Sequence, residues 1–132
     1  MEKTIALVTG QQNSEQIIGA ARGIADRDDT ELSVVGVLDQ EYILDAETVN
    51  YLFELAKKSG AVLRMVFAHQ KAAAMRAILQ EQEVKTVLTG LPGGNSTIIY
   101  SLWQMFPCID FMVVGNQGDM VTVNPRMPYC PA

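Results

Sequence analysis

Four times in succession this chain follows a compact apolar run with a helical pattern and then another apolar run. The runs are residues 4–9 (TIALVT), 31–39 (ELSVVGVLD), 62–69 (VLRMVFAH), 85–91 (KTVLTGL) and 109–115 (IDFMVVG). Runs of this length and unbroken apolar character read as strands buried on both faces. Between them lie apolar residues at helical spacing. The first set is Ile17, Ile18, Ala21, Ile24 and Ala25, and the second is Val49, Leu52, Phe53 and Ala56. Ala74, Met75, Ile78 and Leu79 mark a third helix over 71–83, and Ile98, Ile99, Leu102, Trp103 and Phe106 a fourth over 96–106. Strand, helix, strand repeated this way requires right-handed crossovers and a parallel sheet with helices on both faces. The expected fold is therefore an α/β three-layer sandwich around a five-stranded parallel sheet. Its strand order is 3-2-1-4-5 or 2-1-3-4-5, and the pattern alone does not choose between them.

The connectors carry matching signals. Asn13 and Gln16 read as a capping box, Asp45 as an N-cap with Glu47 in the first turn, and Ser59-Gly60 as a helix stop. With 132 residues the chain fits one domain, taken as residues 1–118. Residues 119–132 then form a C-terminal tail in which 120–123 reads as an edge strand. A formal net charge of −5 with ten scattered basic residues argues against binding nucleic acid or an anionic membrane, both of which need clustered Lys and Arg. No apolar stretch approaches the roughly 20 residues that span a bilayer, and the first residues enter a strand without a signal-peptide pattern. A cytoplasmic location is expected. In that compartment Cys108 and Cys130, which show no CxxC spacing, are expected as free thiols rather than a structural disulfide.

In open α/β sheets the ligand crevice lies beyond the carboxyl ends of the strands, where strand order reverses. Under 3-2-1-4-5 that point falls between strands one and four, flanked by the turns 9–14 (TGQQNS) and 90–97 (GLPGGNST). Both are polar and carry glycine. Gly90, Gly93 and Gly94 lack a Cβ, so the backbone can turn tightly and present its N–H groups to an anion. Asn95, Ser96 and Thr97 open the following helix, whose unpaired N–H groups and dipole favour phosphate. A plainer account also stands: the glycines shape the turn and Asn95 or Ser96 only caps the helix.

At this loop the chain resembles the universal stress protein family. Nucleotide-binding members carry Gly-x-x-Gly after strand four, a nine-residue spacer, and Gly-Ser or Gly-Thr at a helix start. Gly90-Leu91-Pro92-Gly93 matches the first element, and Asn95-Ser96 stands in the place of the last, with the spacer collapsed. VTGQQNSEQII and CIDFMVVG are similar to the universal-stress domain of potassium-sensing histidine kinases, and the likeness covers about residues 4–115. The resemblance implies the order 3-2-1-4-5 (an adenine nucleotide alpha hydrolase-like fold), an adenine nucleotide such as ATP or AMP, and a homodimer formed through strand five and the tail. It carries one departure. Where nucleotide-binding members place an Asp after strand one, Gly10 or Gln11 stands here, and Gln cannot reproduce an acceptor-only carboxylate.

The ligand-lining residues are then Thr9, Gly10, Gln11, Val37, Leu38, Gly90, Gly93, Gly94, Ser96 and Thr97. No catalytic set emerges: His69, the single histidine, has no nucleophile or carboxylate at evident spacing. Asp26, Asp28 and Asp29 read as a solvated turn rather than a metal site, and Asp39 as a loop acid near a ribose position. Three functions stay in play. The first is a universal-stress-type sensing or signalling module, not an enzyme, that binds an adenine nucleotide or a cyclic dinucleotide. The second is a ligand-free dimerising domain. The third, an FMN carrier using the TGQQNS turn, is poorly served, because Tyr42 is the one aromatic in the crevice loops.

Overall fold

The structure, a computed structural model, describes residues 2–8, 14–38, 46–67, 71–81, 83–90, 102, 104–115, 117–124, 127, 128 and 130. Its elements are β1 (Lys3–Val8), α1 (Ser14–Asp28), β2 (Glu31–Leu38), α2 (Ala46–Lys58), β3 (Val62–Phe67), α3 (Lys71–Glu81), β4 (Val84–Gly90), β5 (Asp110–Val114) and β6 (Met120–Asn124). The sheet order is β3-β2-β1-β4-β5-β6. Strands β1 to β5 are mutually parallel in the order 3-2-1-4-5, and β6 adds an antiparallel edge on β5. The sheet thus has six strands where five were expected, and it is mixed.

The near-continuous apolar runs follow from burial on both sides. In β1, Ala6 and Val8 join one core with α1, and Ile5 and Leu7 join the other. All four are almost inaccessible. The same alternation splits Leu88 from Val87 on β4. The first core packs Ile17, Ile18, Ala21, Ile24 and Ala25 of α1 with Leu52 and Ala56 of α2, and the second packs Met75, Ile78 and Leu79 of α3 with Leu102. Two helices therefore cover one face and α3 the other. Of the fourth expected helix, Leu102, Gln104 and Met105 have helical backbone, and the Phe106 N–H donates to the Leu102 carbonyl at 3.1 Å. Residues 91–101 and Trp103 lie outside the described residues.

The helix ends have specific causes. At α2 the Ala61 N–H reaches the Ala56 carbonyl (2.9 Å) and the Gly60 N–H reaches Lys57 (3.1 Å), with Gly60 at φ +64°. That is a Schellman closure with glycine in its left-handed position. The α1 terminus makes the same long bond, Thr30 N–H to Ala25 carbonyl at 2.9 Å, but puts Asp29 at φ +54°. An Asp is tolerated there, and glycine fits at lower cost. We expect Asp29→Gly to raise unfolding free energy by about 0.5 kcal/mol, the relief of left-handed strain outweighing glycine's added chain entropy; urea denaturation would show it, and a loss would refute it. Arg22 joins the two helix ends, donating from Nη1 to the Ser59 carbonyl (2.8 Å) and from Nη2 to Asp26 (2.7 Å).

Three expectations are corrected. Phe53 does not face inward; it is 54% exposed, and Leu55 packs beside Leu52 and Ala56 instead. The homodimer edge expected at strand five does not include Val114, which is fully buried under α1 with Val8 and Leu88. Cys108 and Cys130 are not free thiols: their sulfurs are bonded, with the Cα atoms 5.6 Å apart.

Candidate functional site

Strands β1 and β4 lie side by side, with Thr4 opposite Thr86 and Leu7 opposite Thr89. Their carboxyl ends, Val8 and Gly90, are consequently neighbours at one end of the sheet, and both are buried. On the far side of β1, β2 puts Gly36 opposite Val8 and runs on through Val37 and Leu38. The strand order reverses at β1, since β2 leads from it to one sheet edge and β4 to the other. This is the crevice position of an open α/β sheet. Thr89 is buried there, and its hydroxyl donates to the Gly90 carbonyl at 3.2 Å. Where a side chain at Gly36 would stand, the Met65 thioether occupies the space, its sulfur 2.8 Å from that point.

Of the expected lining residues, Gly90 closes β4 and pairs with Val114, while Val37 and Leu38 close β2 opposite Val66 and Phe67. Thr9, Gly10, Gln11, Gly93, Gly94, Ser96 and Thr97 lie outside the described residues, as do Asn13, Asp39, Tyr42, Asp45 and His69. Strand β3, which His69 follows, is the sheet edge, separated from β1 by β2. What is on view is the framework of the crevice: three strand ends and the start of α1. Ser14, the first residue of α1, is buried, and Gln16 in its first turn holds a buried carbonyl oxygen that accepts no hydrogen bond among the described residues.

Among the described residues, Glu15 and Glu47 lie in first turns of their helices, and several basic side chains lie toward the opposite end. Helices in such a fold start at the carboxyl ends of the strands and finish at the amino ends. Lys3 and Lys85 lie near the amino ends of β1 and β4, and Arg27, Lys57 and Lys58 lie in the last turns of their helices. Arg27 pairs with Asp28 at 2.9 Å and, by hydrogen bonding, holds its carboxyl below the usual carboxylate range. The acidic turn after α1 is thus partly satisfied by Arg27. Among the described residues no group of His, Cys, Asp and Glu is placed to hold a metal ion.

Five parallel strands in the order 3-2-1-4-5, with the order reversing at β1, define an open, doubly wound α/β fold. The comparisons sharpen this to the fold of the universal stress proteins. The chain is similar to the crystal structure of a universal stress protein family member from Burkholderia pseudomallei, with a TM-score of 0.58 and 14% identity over 86% of this chain and 94% of that one. It is also similar to universal stress protein UspA from Lactobacillus plantarum, with a TM-score of 0.60 and 14% identity over 86% and 96% of the two chains. No protein-family model matches the sequence, and a search of curated proteins returns no match. At this identity the likeness is one of fold.

Sequence reasoning missed two features around β5, the disulfide before its amino end and the turn after its carboxyl end. The disulfide had no signature, since two cysteines 22 residues apart have no spacing that announces a bond. The β5–β6 connection was unrecognised too. The Gly115 N–H donates to the Asp119 carbonyl (2.8 Å) and the Gly118 N–H to the Gly115 carbonyl (3.0 Å), with Gly118 at φ +85°. A Gly-x-x-Gly spacing between two β-like runs was the available signal.

Proposed function

We propose that the chain is a universal-stress-type sensing or signalling module that works by binding an adenine nucleotide, ATP or AMP, or a cyclic dinucleotide. It does so without catalysing a reaction. One observation supports this above the others: β1 and β4 are adjacent and parallel with their carboxyl ends level. The turns 9–13 and 91–97 therefore leave from neighbouring points, and a helix N-terminus follows the first of them. Glycine backbone at Gly90, Gly93 and Gly94 would meet the phosphates, and Val37 and Leu38 the base. Gly10 and Gln11, standing where nucleotide-binding members have an Asp, weaken the ribose contact.

Isothermal titration with ATP, AMP and cyclic dinucleotides tests the proposal. We expect one of them to bind, and Gly93→Val to weaken that binding at least tenfold with no change in melting temperature. Silence from every nucleotide at millimolar concentration would end it.

A second function, a ligand-free dimerising domain, is favoured by the β6 edge, where Met120 and Val121 are 42% and 57% exposed. The outer edge of β5 is occupied by β6, so a homodimer through strand five and the tail would meet at β6. Native mass spectrometry separates the two functions: a copurified small molecule belongs to the first, a bare dimer to the second. Among the described residues no helix is long and apolar enough to cross a membrane. A cytoplasmic location is part of the proposal, and the oxidised cysteine pair sets a condition on it, because cytosolic disulfides are usually transient and redox-sensing.

A further inference from the structure

We propose that the Cys108–Cys130 disulfide is a redox-operated latch that holds β6 and the C-terminal segment against β5. The bond joins the residue two positions before β5 to a residue six positions after β6. It therefore brackets the β5–β6 hairpin and little else.

Among the described residues, what holds β6 apart from this bond is modest. Met120, Val121 and Thr122 are all exposed, so those side chains bury little apolar surface. The strand has one neighbour, and its ladder with β5 is interrupted between Phe111 and Met112. Beyond β6, the Met127 N–H donates to the Pro107 carbonyl (3.0 Å) and the Cys130 N–H to Met127 (3.1 Å), next to the bond itself. Edge elements of this kind open at lower free energy than the core. A cross-link that keeps the ends of such a segment together removes part of the entropy gained by opening.

The contrast beneath β6 is sharp. Phe111, Val113 and Val114 of β5 are buried, so β5 stays in the domain when β6 departs. Its backbone edge is then open to pair with another strand. Cys108 and Cys130 are half-buried, which leaves them within reach of a dithiol reductant. One thiolate of that reductant attacks a cystine sulfur and forms a mixed disulfide. Its second thiol resolves the mixed disulfide, so that the reductant ends as a disulfide and Cys108 and Cys130 as two thiols. Two electrons and two protons pass to the protein, and the latch opens.

Hydrogen exchange followed by mass spectrometry on the whole chain tests this, comparing the oxidised protein, the protein in dithiothreitol and the C108S/C130S variant. In dithiothreitol the amides of β6, Met127 and Cys130 are expected to exchange at least tenfold faster. Those of β1, β2 and β4 stay protected, and removing the reductant under oxidised glutathione restores the slow pattern. The double variant is expected to match the reduced protein; should it fail to fold, the reversible reduction of the natural chain decides alone. Unchanged exchange at β6 after reduction would overturn the latch. So would loss of protection across β1 and β4 together with β6, which would make the bond a staple of the whole domain.

Discussion

Leu52→Ala is expected to lower unfolding free energy by about 2–5 kcal/mol, while Phe53→Ala, one position along α2, changes it by less than about 0.5 kcal/mol. Leu52 is 1% exposed and packs with Ala56, Ile18 and Ala21 between α2, α1 and the sheet. Its truncation leaves a cavity in a core that relaxes only partly. Phe53 is 54% exposed, so its ring gives up little on removal. Urea denaturation of the two variants side by side checks the pair. Equal losses would mean that α2 is rotated by one residue about its axis from the arrangement described above.

That pair also shows how far helical spacing can be read. Val49, Leu52, Phe53 and Ala56 are all compatible with one broad apolar face, because residues three and four apart share a face. Neighbouring positions nonetheless differ by 100°, and only the position of the sheet decides which flank is covered. Here the covered flank runs through Leu55 rather than Phe53. In α1 the ambiguity does not arise: Ile17, Ile18, Ala21, Ile24 and Ala25 are followed by the charged stretch 26–29, and all five are buried. A helix over the centre of a sheet has both flanks covered. One near the margin leaves a flank in water.

The strands were legible for a related reason. Central parallel strands are apolar on both faces, and β1 and β4 show this without a break. Their order was not legible from pattern and came from resemblance at the glycine turn. The sixth strand was readable as a β-like stretch but not its partner, since pairing is a tertiary fact. The disulfide was less legible still. Whether two thiols bond depends on the separation of their Cα atoms, here 5.6 Å, which depends on the hairpin between them. At the candidate site, the convergence of two turns was inferred from a switch-point rule. The adjacency of Leu7 and Thr89 fits that placement, while a ligand there is part of the proposal and was read from the glycine-rich sequence 90–94.

The largest single loss is expected at Phe111. Phe111→Ala should cost about 3–5 kcal/mol, the range for a buried aromatic truncated in a packed core. A domain of this size has about 5–15 kcal/mol in total, so the loss takes a large share of it. Phe111 is 2% exposed and sits in the second core with Ile5, Val87, Ile109 and Leu102. It therefore lies between the central strands and the helical turn at Leu102, the turn reached from the glycine loop. With a slope of about 1–3 kcal/mol per molar urea, the midpoint of unfolding should fall by roughly 2 M. Phe111→Leu, which retains most of the volume, should cost only about 1 kcal/mol. Exposure decides the contrast with Val121, opposite Val113 on β6 and 57% exposed, where Val121→Ala should shift the midpoint very little. If Phe111→Ala unfolds with a midpoint near that of the natural chain, β5 does not anchor the second core. The packing of the helical turn at Leu102 against the sheet would then rest on Leu102, Phe106 and Ile109.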